Sequence, residues 1–120
     1  MRDNMTDLIA SNCLAKPGAV EDYPFGEEVA VFKVAGKMFA LLLLSTDPYK
    51  LTVKCDPRLA MALRDRYPAV TPGYHSNKRH WNTILLDGSV PEHELLDFID
   101  HSYDLVTDRL TRAQLGALGK

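Results

Sequence analysis

The chain has 120 residues, 46% hydrophobic and 25% charged, the composition of one ordinary soluble domain and not of a disordered or fibrous segment. A formal charge of −2 argues against a strongly electrostatic nucleic-acid binder. Cys13 and Cys55 are too few and too far apart for a zinc knuckle or a secreted disulfide framework. The longest apolar run, residues 38–44, falls far short of the roughly 20 residues of a membrane span, and no basic-then-apolar leader opens the chain. The expectation is one cytoplasmic domain over residues 1–120, with its core over about 5–108 and a tail over 109–120.

The first element is a short amphipathic helix over residues 6–15, where Met5, Leu8, Ile9 and Cys13 share one side and Pro17-Gly18 stops it. Residues 16–28 read as turn-rich. Val29 to Val34 and residues 38–44 form a hairpin across Ala35-Gly36-Lys37, and Tyr49, Leu51 and Val53 alternate with Lys50, Thr52 and Lys54 in a third strand. Asp56-Pro57 caps a second helix that Pro68 ends. After a turn at Thr71-Pro72-Gly73, residues 80–86 read as another strand, and Ser89 with Glu92 has the capping-box spacing that opens a long last helix. In that helix Leu95, Leu96, Ile99, Ser102, Tyr103 and Val106 fall on one side, opposite an acidic face that includes Asp97, Asp100, Asp104 and Asp108. A short tail helix over residues 111–118 completes an α+β domain, an antiparallel sheet with helices packed on it.

Charge is unevenly placed. Residues 21–28 sum to −4, residues 29–86 to +6, and residues 87–108 hold seven acids with no Lys or Arg. A local basic surface is therefore compatible with the small net charge.

Residues 73–82 concentrate two histidines, two amides, two cations and two aromatics, a mixture that contacts phosphates by charge and bases by hydrogen bond or stacking. The alternative is a polar loop entering a strand, with Trp81 in the core, Asn77 fixing the turn, and Lys78 and Arg79 simply solvated. Lys50, Thr52 and Lys54 share a strand face, with Lys33 on a neighbouring strand; that face either grips a backbone or keeps the sheet soluble. His93, Asp97, Asp100 and His101 have metal-ligand spacing on one helix face, but a solvated acidic face explains them, and no metal or other cofactor is expected. Neither cysteine sits in a nucleophile context, no phosphate loop, nucleophile elbow or HExxH occurs, and no catalytic residue is assigned.

The run from His75 to Pro91, with His75, Asn77, Lys78, His80, Trp81, Thr83, Leu86-Asp87-Gly88-Ser89 and Pro91 in place, resembles the hallmark of the MmcQ/YjbR family. Upstream, Lys16-Pro17-Gly18, Asp22-Tyr23-Pro24-Phe25-Gly26, Val31-Phe32-Lys33-Val34 and Gly36-Lys37-Met38-Phe39-Ala40 resemble it in the same order, so that the likeness spans roughly residues 5–108. The resemblance implies a small bacterial cytoplasmic protein with the order α-β-β-β-α-β-β-α, of a family commonly described as DNA-binding with a "double wing" arrangement. On this chain the family pattern singles out His75, Asn77, Lys78, His80 and Trp81, with Arg79 at the variable position.

The resulting expectation is a non-enzymatic domain that contacts DNA weakly, and in a salt-dependent way, through the loop 73–81: His75, Asn77, Lys78, Arg79, His80 and Trp81, helped by Lys50 and Lys54. The loop must then stand clear of the acidic helix. Two other readings stay open. One is a protein or peptide interaction module, dimeric in the manner of secretion chaperones; the other is a small-ligand or enzyme site around Tyr74, His75 and His80.

Overall fold

Asp3 opens the chain's first helix by accepting the Thr6 N–H at 2.8 Å, which satisfies one of the four amides a helix N-terminus leaves without partners. A computed structural model describes residues 3–73 and 77–118. In chain order they form α1 (Asn4–Leu14), β1 (Ala19–Asp22), β2 (Val29–Val34), β3 (Lys37–Leu43), β4 (Lys50–Lys54), α2 (Pro57–Arg66), β5 (Val70–Pro72), β6 (Trp81–Leu85), α3 (Glu92–Thr107) and α4 (Arg112–Ala117). The strands make one sheet in the order β1-β2-β3-β4-β6-β5, every pairing antiparallel.

Ala35 and Gly36 both take positive φ, 51° and 77°, the two-residue turn whose twist matches the strands of the β2–β3 hairpin. Asp56 caps α2 by accepting the Arg58 and Leu59 N–H groups at 3.1 and 3.2 Å, with Pro57 in the first turn. In β3 the register slips opposite Phe32 and Lys33, which leaves Phe39 as the extra residue. Phe39 is fully buried and meets the Tyr103 ring edge-on, with centroids 5.3 Å apart.

Helix α3 crosses β2, β3 and β4, and α1 packs beside it. Ile9, Phe32, Leu42, Leu51, Ile84 and Ile99 are sealed between these helices and the sheet. One buried hydroxyl pins the helix to the strands. Ser102 Oγ donates to the Phe39 carbonyl at 2.5 Å and accepts the Lys54 N–H at 2.9 Å, linking α3 to two neighbouring strands at once.

The α+β class, with helices laid on a sheet, is as expected; the element order departs from the expected one by a single strand, and two local readings change. Four strands precede α2 rather than three, because β1 lies inside the segment read as turns. It is an edge strand of sequence AVED, too polar to announce itself by hydropathy. β5 supplies the first of the two strands expected after the second helix, in residues whose local pattern reads as a turn; Pro72 lowers its strand signal, yet proline is tolerated on an edge. Ser89 does not cap α3: its N–H and Oγ both bond Asp87 Oδ1, at 3.0 and 2.6 Å, and the helix starts after Pro91 with no side-chain cap. The tail helix is α4, opened by a capping box between Thr111 and Gln114. Among the described residues no helix is long and apolar enough to cross a membrane.

Replacing Ser102 by Ala strands a buried carbonyl and a backbone N–H. We expect a loss of about 2–3 kcal/mol in urea unfolding, with unchanged slope; a midpoint equal to that of the parent would show that the helix does not depend on this hydroxyl.

Candidate functional site

The loop between β5 and β6 is held by contacts that begin at Gly73. Its N–H donates to the Trp81 carbonyl at 2.9 Å, and a Cβ at this position would lie 2.7 Å from Trp81 Cβ, so the approach admits only glycine. At the other end, Asn77 forms a tight turn: its Oδ1 accepts the Arg79 N–H at 3.0 Å and its carbonyl accepts the His80 N–H at 3.0 Å. The His80 carbonyl then accepts the Cys55 N–H at 2.7 Å.

Arg64 of α2 closes the arrangement. Its Nε donates to Asn82 Oδ1 at 2.7 Å, and its Nη2 donates to the Trp81 carbonyl at 3.2 Å and to the Lys78 carbonyl. Asn82, 1% exposed, donates onward to the Ala60 carbonyl at 3.4 Å. A planar guanidinium with fixed donors suits three converging acceptors in a way a lysine ammonium cannot. The sequence analysis missed Arg64; the signal was a pair of arginines, Arg64 and Arg66, in the last turn of a helix that ends close to a polar loop.

The predicted residues divide. Asn77, Lys78 and Arg79 are exposed, and His80 and Trp81 are half-buried. Among the described residues neither the Lys78 nor the Arg79 side chain has an ion-pair partner. Tyr74, His75 and Ser76 lie outside the described residues, and with them the His75 contact and most of the reading built on Tyr74, His75 and His80.

Lys50 and Lys54 sit at opposite ends of β4, opposite Leu85 and Trp81 respectively, about 13 Å apart along the strand. Only Lys54 is at the loop's end of the sheet. Partial burial pulls its ammonium below the usual lysine range, and the Arg109 and Lys37 cations add to this. Lys33 is spent on Asp22 at 3.2 Å. The face that Lys50 and Thr52 share is not a basic surface. It is the sheet face the helices leave uncovered, a trough of about 700 Å3 lined by residues such as Val29, Leu41, Leu43 and Leu85, with the exposed Phe25 at its wall.

The acidic helix does not stand clear of the loop. Consecutive amides tie both to one place: Cys55 donates to His80 of the loop, and Asp56 donates to His101 Nε2 of α3 at 3.2 Å. Asp100 is paired with Lys16, while Asp97 and Asp104 remain exposed on the outer face. Among the described residues no cluster of three or more His, Cys, Asp or Glu side chains forms a metal site.

Both cysteines are buried and unpaired with each other. Burial pushes the Cys13 thiol from 9.0 to about 12 and the Cys55 thiol from 9.0 to about 11. Such thiols pack as small apolar groups and offer no thiolate at neutral pH.

Two outcomes follow from this geometry. Arg64→Ala leaves Asn82 Oδ1 buried without a donor, and we expect a loss of about 2–3 kcal/mol with faster amide exchange at Trp81 and Asn82; Arg64→Lys should recover less than half, and full recovery would contradict the three-acceptor arrangement. The thiols titrate near 9.0 when the chain unfolds, so their contribution to stability is complete below that pH and is lost as pH rises toward 11–12. Denaturant midpoints measured from pH 8 to 10.5 should fall more steeply for the parent than for a Cys13→Ala variant; equal slopes would refute the assignment.

Residues 14–105 match the family model YjbR. The chain is 37% identical over 90 residues to the uncharacterized protein YbdF of Escherichia coli O157:H7, covering 75% of this chain and 74% of that protein. It is 34% identical over 98 residues to the uncharacterized protein YjbR of Escherichia coli strain K12, covering 82% and 83%. The crystal structure of Deinococcus radiodurans protein DR2400, which carries a DUF419 domain, superposes with a TM-score of 0.87 at 41% identity over 95% of this chain and 87% of that one. A Pseudomonas syringae crystal structure superposes with a TM-score of 0.72 at 27% identity, covering 87% and 98%. With the model spanning most of its length and relatives matched over most of theirs, this chain belongs to the YjbR family.

Proposed function

We propose that this domain binds DNA without catalysing a reaction on it, and that Lys78 and Arg79 rest against backbone phosphates. The observation that carries this reading is the Arg64 clasp: the Lys78 backbone is tied to α2 and β6 while both neighbouring cationic side chains are exposed. A fixed backbone under two exposed cations lowers the ordering cost of each phosphate contact. Arg58 of α2 is exposed on the helix that supplies the clasp, and the resemblance to a family described as DNA-binding points the same way.

With the acidic α3 tied to the same end of the sheet, affinity should be modest and sequence-independent, since phosphates position a protein without reading bases. His80 and Trp81 act in this account by anchoring the loop. Lys54 strengthens the field at the loop, and Lys50 lies outside the contact. The second reading, a protein- or peptide-interaction module, is favoured by one observation, the uncovered apolar sheet face, and predicts that an extended apolar peptide binds there where the DNA reading requires none.

Fluorescence anisotropy of a labelled mixed-sequence duplex, titrated at about 50 and about 200 mM salt, should show saturable binding that weakens with salt. Replacing Lys78 and Arg79 together by Ala should reduce the slope of log K against log salt by about 1.8, while folding stability stays within about 0.5 kcal/mol of the parent. Equal binding by parent and double variant would remove the loop from the phosphate site.

A further inference from the structure

We propose that the uncovered sheet face is a binding site for a small amphipathic carboxylate, a free fatty acid of medium chain length, with Lys50 as its anion partner. The trough of about 700 Å3 lies within the roughly 300–1,000 Å3 typical of small-molecule sites. From β2 across to β5 it spans four strand spacings, about 19 Å, room enough for a medium-length aliphatic chain laid across the strands. Leu41, Leu43, Val29 and Leu85 supply an apolar floor, and Phe25, 72% exposed, forms a wall with no core contact to occupy it.

The polar groups on this floor are few: the Lys50 ammonium and the hydroxyls of Thr52, Thr71 and Thr83, of which the Thr71 hydroxyl already donates to the Thr83 carbonyl at 3.3 Å. Lys50 is the one charged residue of the lining, and its ammonium has neither an ion pair nor a hydrogen bond among the described residues. Thr52 Oγ1 and Thr83 Oγ1 lie 2.9 Å apart. Two hydroxyls that share one hydrogen bond use one proton and leave the other to donate. The trough thus offers one cation and one spare hydroxyl donor over an apolar surface, which complements a single carboxylate head on an aliphatic chain. It does not complement a second copy of this face. Two concave floors cannot fill each other, and among the described residues no acidic side chain lines the trough to meet a second copy's lysine.

The test uses the whole chain and three ligands of equal tail length, decanoate, decanol and decyltrimethylammonium, each below its micelle concentration, followed by 15N-resolved amide shifts and calorimetry. Saturable decanoate binding is expected, with shifts centred on Leu41, Leu43, Thr52 and Leu85 and little effect from the cationic analogue. Lys50→Gln, a half-buried residue whose loss leaves the core intact, should weaken decanoate about tenfold or more and leave decanol unchanged. Equal affinity for all three tails, an unchanged decanoate affinity in the variant, or the absence of saturation would each overturn the proposal. So would a parent dimer in sedimentation whose trough amides are protected without ligand.

Discussion

A six-stranded sheet has two faces to cover, and this chain has helices enough for one. α1 and α3 seal the inner face, where Phe39, Leu42, Leu51 and Ile84 disappear from solvent; among the described residues no helix covers the opposite face, which is bordered by the Phe25 wall. The main features of the molecule follow from that asymmetry. The inner face must be registered accurately, which Ser102 does by bonding two strands from one helix position, and the outer face is left as an apolar concavity, an arrangement that in soluble proteins usually marks a binding surface.

The same asymmetry explains why α2 does something different from the other helices. It packs at the β5 edge and contributes Arg64, whose guanidinium reaches past the edge strand to Asn82, Trp81 and Lys78. Burying Asn82 would be costly without a donor for its oxygen, so Arg64 and Asn82 require each other. Their pairing turns residues 77–82 into a fixed platform. The cations on it face solvent because the backbone beneath them is already satisfied, and that division between anchoring and exposed polar groups makes the loop a candidate for contact with an anionic polymer.

Much of this was legible in the sequence. The α3 face of Leu95, Ile99, Ser102, Tyr103 and Val106 is the buried face, because a sixteen-residue helix repeats its pattern often enough to be read. Asp56-Pro57 states a helix start in two residues. β1 and β5 were illegible for a common reason: edge strands bury little, so their composition follows solubility and not packing. Ser89 misleads because a capping-box spacing says nothing of the Asp87 carboxylate that captures the serine first. At the site, Lys78 and Arg79 could be read as exposed cations, but the partnership of Arg64 with Asn82 spans eighteen positions and has no local signature. The trough had one visible sign, residues 38–44, apolar at every position. A strand that is apolar on both faces needs two covers, and the helices could supply only one.

The central claim is that the loop carried by Arg64 meets phosphates while the uncovered sheet face does something else. The most direct measurement is an amide-shift map of the 15N-labelled chain titrated with a mixed-sequence DNA duplex at low salt. The account predicts shifts confined to Asn77, Lys78, Arg79, His80 and the exposed side of α2, with the amides of Leu41, Leu43 and Leu85 unmoved. A map centred on those trough strands, or no shifts at all, would contradict it.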